Sequence, residues 1–185
     1  MTLSLFLNMT AIHLKGTCNL AAMQDADKNL KKVRNIADYQ FGRGCGDALF
    51  PNDVTFLLSR TNRVRQILNN GQRIATVRAK DGMLTLSIAG AMVLHNVLSA
   101  PSYRVIVCDD AVPFVSKGKT VFAKHILSLD KELRAGEEVL VVDSSDNLLA
   151  TGQLLLSPDE ALSIGRGPAV DVRNGIDQEK DRQDN

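Results

Sequence analysis

The chain has 185 residues, 44% apolar and 23% charged, which is room for one ordinary domain or two small ones and enough to build a core without metals or disulfides. Net charge is +1, which excludes a uniformly basic protein, but the charge is polarised: residues 1–100 hold 12 Lys/Arg against 6 Asp/Glu, and residues 101–185 hold 10 against 15. Three cysteines (Cys18, Cys45, Cys108) and three scattered histidines form neither a disulfide framework nor a zinc-ligand pattern, so a reduced, cytoplasmic setting and no cofactor are expected.

Residues 1–24 read as an extension. Met1–Leu7 is apolar but too short to cross a membrane and has no basic flank, so no membrane association is expected, and clear patterning begins just after Met23, an alternative start. Asp25 or Asp27 caps a helix to about Tyr39, with Leu30, Val33, Ile36 and Ala37 at helical spacing and Lys28, Lys31, Lys32 and Arg34 mostly on the outer face. Residues 38–51 carry Gly42, Gly44, Gly46 and Pro51 and are expected as a loop. A four-strand meander follows over 54–59, 64–68, 73–78 and 83–86, with a tight turn at Asn69–Gly71; it places Arg63, Arg65, Arg73 and Arg78 on strands or at their turns. A helix over 87–99 offers Ile88, Met92, Leu94 and Val97 for burial, and Ala100–Ser102 reads as a linker.

Beyond the linker come short strands over 104–108, 121–126, 138–142, 148–155 and 169–173, with a helical turn capped by Ser157 before the last of them. Strands at this spacing suggest a small barrel or sandwich. From residue 177 the chain is a polar tail. The expected division is therefore an extension at 1–24, a small α+β domain at 25–100, a β-rich domain at 101–176 and a tail at 177–185.

No residue pattern points to catalysis. Cys45 lies in Gly-Cys-Gly without a histidine in any recognisable pattern with it, and reads as a small residue in a turn. The paired carboxylates Asp109-Asp110 and Glu137-Glu138 abut strand ends and read as solvated turns. Gly42–Gly46 lacks the Gly-Lys-Ser/Thr ending of a phosphate loop. No catalytic activity is expected. Electrostatics says more: residues 28–80 carry 11 Lys/Arg against only Asp38, Asp47 and Asp53, a surface that would draw a polyanion. A solvated face of accidental asymmetry gives the same count.

The runs Pro113–Ile126, Arg134–Asp143, Leu149–Gly152 and Arg166–Arg173 together resemble a PUA domain, in particular the one at the C-terminus of archaeal tRNA-guanine transglycosylases. The segment Ile36–Pro51 with the meander after it resembles the small domain that precedes PUA in those enzymes. The resemblance covers about residues 28–176 and implies an α+β fold, a small pre-PUA domain (helix, antiparallel meander, helix) followed by a PUA pseudo-barrel. It does not extend to the catalytic barrel or the cysteine-rich zinc site of those enzymes.

What the resemblance implies about function is RNA binding, and tRNA above all, at the acceptor stem or 3′ end. Two forms are open: a stand-alone binder, or the non-catalytic subunit of a split system whose transglycosylase-type catalytic subunit is a separate partner. A homodimer is compatible with either. By the same analogy the RNA groove runs along Lys117-Gly118-Lys119 and residues 121–125. Gly118 would let the backbone approach a phosphate, Lys117, Lys119 and Lys124 would pair with phosphates, and Phe122 or His125 would stack on an unpaired base. Arg166 and Arg173 would approach from the returning element, and Arg43, Arg63, Arg65, Arg73 and Arg78 would supply the grip of the first module. Phe122 fits a core position equally well by its alternation with Val121 and Ala123. Asp171 stands where the family commonly has a basic residue and would repel RNA if it faced the groove. The alternative is a protein-interaction or oligomerisation module that keeps the fold without RNA binding.

Overall fold

Helix α1 (residues 24–41) buries Val33, Ala37 and Phe41, four residues apart on one stripe, and leaves Lys28, Lys31 and Lys32 in water. The computed structural model describes residues 24–178; all of the expected extension but residue 24, and nearly all of the expected tail, lie outside the described residues. Arg34, expected on the outer face, turns inward instead. Its Nε and Nη2 donate to Phe50 O at 2.8 and 2.6 Å, and its Nη1 lies 3.0 Å from Asp47.

That anchor belongs to a second correction. Residues 38–51 are not all loop, because they contain helix α2 (Cys45–Leu49). One carboxylate oxygen of Asp38 accepts from the amides of Gly44 (3.0 Å) and Gly46 (2.7 Å) and folds the turn that starts it. α2 packs so closely on α1 that a Cβ at residue 46 would lie 2.4 Å from Arg34 O, which reserves the position for glycine.

Strands β1 (Thr55–Leu58), β2 (Val64–Asn69), β3 (Gln72–Val77) and β4 (Leu84–Leu86) form an antiparallel sheet in that order. Asn70 and Gly71 both have positive φ, as the expected two-residue turn requires. Helix α3 (Ile88–Val97) begins at Ser87, whose hydroxyl accepts from Gly90 N at 3.2 Å. Its buried stripe is Ile88, Ala91 and Leu94. Met92 and Val97, expected inside, fall off that stripe and are about half exposed.

The second sheet has the order β6-β10-β9-β8-β5-β7. Its strands are β5 (Arg104–Val107), β6 (Val121–Phe122), β7 (Ile126–Leu129), β8 (Glu138–Val142), β9 (Leu148–Leu154) and β10 (Pro168–Gly175). Residues 121–126, expected as one strand, are two. A 3-10 turn at Ala123–His125 carries the chain from β6 at one edge of the sheet to β7 at the other. Those edges are joined through three residues, so the sheet curls into a nearly closed barrel. Helix α4 (Val112–Val115) precedes β6, and α5 (Pro158–Ser163) starts in the expected capping box of Ser157 and Glu160.

β8 is buried on both faces. Val139 and Val141 enter the barrel core, whereas Leu140 and Val142 pack with Leu148 into the core built by α1, α3 and the first sheet. The two halves therefore share a core. Side chains from both halves also close the free edge of β4, Gln40 from α1 and Glu138 and Asn174 from the barrel. The Gln40 amide takes Leu84 N (2.8 Å) and gives to Leu84 O (2.9 Å). Glu138 Oε1 accepts from Leu86 N at 3.1 Å, and Asn174 Nδ2 donates to Leu86 O at 3.1 Å. Side chains thus stand in for a neighbouring strand, and the edge offers no ladder for adventitious pairing.

Candidate nucleic-acid interface

On the barrel, α4, the turn at 116–120, β6 and the 3-10 turn enclose a groove of about 340 Å³. β6 sets its wall by alternation. Val121 is buried, so Phe122 points outward and is 44% exposed; this settles the two readings of Phe122 against the core. Phe114 on α4 lines the same groove, 63% exposed. Lys119, Lys124 and His125 complete the rim. The groove therefore offers two aromatic surfaces and two ammonium groups within one cavity. Phe114 was not singled out from sequence, where an aromatic inside an apolar run reads as core.

His125 is oriented by a contact that sequence reasoning also missed: its Nδ1 lies 3.5 Å from Cys108 Sγ, and its carbonyl accepts from Cys108 N at 2.9 Å. Cys45 lies on the buried side of α2. Its thiol is buried, donates to Phe41 O, and is pushed upward in pKa by burial and by Asp38. Among the described residues no three His, Cys, Asp or Glu side chains are placed to hold a metal ion, and no helix is long and apolar enough to cross a membrane.

The other residues singled out from sequence are placed as follows. Lys117 is exposed on the turn beside the groove. Gly118 has φ +76°, and its amide is already committed to Val115 O at 2.8 Å. A Cβ at residue 118 would meet the Gln178 side chain at 2.5 Å. The Gln178 side chain thus lies in the space beside Gly118 that the absent Cβ leaves open. Arg166 is exposed on the turn before β10 and does not line the groove. Arg173 is also elsewhere: its Nη2 donates to Gln153 Oε1 at 3.0 Å and its Nε lies 3.4 Å from Glu138 Oε2. Asp171 is exposed on β10 but absent from the groove wall, so the repulsion expected of it does not arise there.

Glu138, expected in a solvated turn, is fully buried at the joint between the halves. Burial pushes its carboxyl up to about 7, against the opposing pull of Arg173, the Leu86 amide, Arg78 and the Thr151 hydroxyl.

On the first module, Arg63, Arg65 and Arg78 line one cavity of about 440 Å³ together with Lys32 and Lys80. Arg78 is held by Asp81 at 3.1 Å. Arg43 is exposed on the turn before α2 and Arg73 is half-buried on β3; neither lines this cavity.

Comparison with known proteins matches the chain to two domain families. Residues 31–101 match the patch-forming domain C2 of tRNA-guanine transglycosylase, and residues 103–176 match the PUA domain. The chain is 48% identical over 148 residues to a tRNA-guanine(15) transglycosylase of Pyrococcus furiosus, covering 80% of this chain and 25% of that one. It is 45% identical over 148 residues to the enzyme of the same name from Methanothermobacter thermautotrophicus, covering 80% and 23%. The chain thus spans about a quarter of the length of these curated relatives. Among solved structures, a hypothetical protein from Pyrococcus horikoshii shares the fold, with a TM-score of 0.62 at 24% identity, over 80% of this chain and 90% of that one.

Proposed function

Because residues 31–101 match the patch-forming domain C2 of tRNA-guanine transglycosylase and residues 103–176 match the PUA domain, we propose that the chain is an RNA-binding protein whose ligand is tRNA. The observation that carries this is the groove between Phe114 and Phe122. An unpaired base presents a free π-face, and the two aromatic rings lining the groove offer it a stacking surface. Lys119 and Lys124 meet the flanking phosphates as point charges, and His125 adds a ring nitrogen for a base edge. The unpaired 3′ end of a tRNA fits this chemistry, and the cations of the first module fit the phosphates of the adjoining stem.

In this reading the chain holds tRNA and leaves the base exchange to a transglycosylase-type catalytic unit. The match to about a quarter of the tRNA-guanine(15) transglycosylases of Pyrococcus and Methanothermobacter supports a tie to tRNA. The concern attached to Asp171 loses its force, since the carboxylate is outside the groove.

Substituting Phe122→Ala should weaken binding of tRNA by about tenfold, the scale of one lost base–aromatic stack. Phe114→Ala should do the same. Trimming the unpaired 3′ nucleotides from the tRNA should erase the difference between wild type and variants in a fluorescence-anisotropy titration. Equal affinity of wild type and Phe122→Ala for intact tRNA would reject the groove as the binding site.

A further inference from the structure

The outer face of α1 carries Lys28, Lys32, Ile36 and Tyr39 on one stripe, with Lys31 and Asn35 beside it. This stripe faces the β3–β4 turn, and between them runs an open groove of about 650 Å³ whose floor is made by Ile36 and Met83. Tyr39 stands at its end, 80% exposed. The groove continues into the cavity lined by Arg63, Arg65 and Lys80, since both share Lys32, Ile36, Asp81 and Gly82. Asp81, the carboxylate in this region, is paired with Arg78. Lys28, Lys31, Lys32, Arg63, Arg65 and Lys80 form no ion pair among the described residues.

A surface that only followed a duplex would need cations at phosphate spacing and nothing else, because paired and stacked bases hide their faces. Here an aromatic ring and an apolar floor lie inside the ring of cations. From Lys28 to Tyr39 the helix rises about 16 Å, room for a short single-stranded tract.

We propose that this groove is a second RNA site, separate from the one on the barrel, which holds an unpaired segment with one base on Tyr39 and the neighbouring phosphates on Lys28, Lys31 and Lys32. The strand leaves toward Arg63 and Arg65. The proposal rests on the RNA-binding reading above but on different residues. It predicts that one chain engages unpaired nucleotides at two places, so that an RNA with a single-stranded end and a second opened region is preferred over a fully paired one.

The test uses the full chain carrying Phe114→Ala and Phe122→Ala, which together remove both aromatic surfaces of the barrel groove, and two fluorescent probes: a single-stranded RNA of about eight nucleotides and a blunt duplex of the same length. Adding Tyr39→Ala should weaken the single strand by about tenfold and leave the duplex unchanged, while Tyr39→Phe keeps the wild-type affinity. Tyr39 is exposed, so none of these changes should disturb folding. Unchanged single-strand binding in Tyr39→Ala overturns the second site, as does an equal loss for both probes, or a polyglutamate peptide that competes better than RNA. If the otherwise wild-type chain binds no RNA at all, the RNA reading falls as well; if it binds through Phe122 and Tyr39 is silent, only this site falls.

Discussion

Replacing Arg104 with Met should lower the stability of the folded chain by roughly 3 kcal/mol, or its melting temperature by on the order of 10 °C. Arg104 is 3% exposed at the start of β5. Its Nε donates to Asp146 Oδ1 at 2.6 Å, its Nη1 to Ser102 O at 3.1 Å, and its Nη2 to His95 O (3.0 Å) and Leu98 O (3.1 Å). One guanidinium therefore caps the C-terminal end of α3, fixes the connection between the halves, and ties both to the β8–β9 hairpin. Partial burial alone would raise the Asp146 carboxyl, but hydrogen bonds from Arg104 and His95 hold it below the usual range. Methionine fills the space of the alkyl stem and removes every donor, leaving three carbonyls near the end of α3 without a partner. Thermal unfolding of the two proteins at neutral pH checks this. A shift of only one or two degrees would show that water replaces the guanidinium at little cost.

The second large effect is a pH dependence. The Glu138 carboxyl sits at about 7 in the folded chain and near 4.5 when unfolded. Between those values the folded state holds a proton that the unfolded state has released, so stability falls as pH rises through that window and levels off above it. The full span is about 3 kcal/mol. The contribution is complete below about 4.5 and gone above about 7. Asp143 and Asp146 shift the other way, and their contribution is lost only as pH falls below the ordinary carboxylate range, so the two effects separate. Glu138→Gln keeps an acceptor for Leu86 N and cannot ionise. The difference in unfolding free energy between wild type and Glu138→Gln, measured from pH 4.5 to 8 by denaturant titration, should move in favour of the variant as pH rises. A difference that stays constant across the window would mean that Arg173 and Arg78 keep the carboxylate ionised throughout.

Both sites lie on the joint between the modules, and that joint is where the sequence was least informative. The meander was legible because its turns are local: Asn70 and Gly71 announce positive φ, and Ser157 with Glu160 announces a helix start. The PUA-like order of motifs was legible for the same reason, each being a continuous run of the chain. Glu138 was misread because a carboxylate next to Glu137 at a strand end is usually solvated. Its burial comes from Leu86, 52 positions away, and from Arg173 beyond the next helix. α2 was hidden by its glycines, since the Asp38 carboxylate that folds them is not a helix signal in itself. For the site, Lys119, Lys124, Phe122 and His125 do come together in one groove, while Arg166 and Arg173 do not join it. Phe114 and Tyr39 are exposed aromatics, and a sequence shows that they exist but not that they face water.

The central claim is that cations on both modules and aromatic side chains in the barrel groove hold a tRNA. Titration of the full chain with tRNA at increasing salt tests it most directly. The account predicts a logarithmic affinity that falls linearly with the logarithm of salt, with a slope of several units. Charge reversal of Lys119 or Arg65 should reduce that slope by about one, whereas Phe122→Ala lowers the affinity and leaves the slope unchanged. Absence of salt-sensitive binding to any tRNA would contradict it.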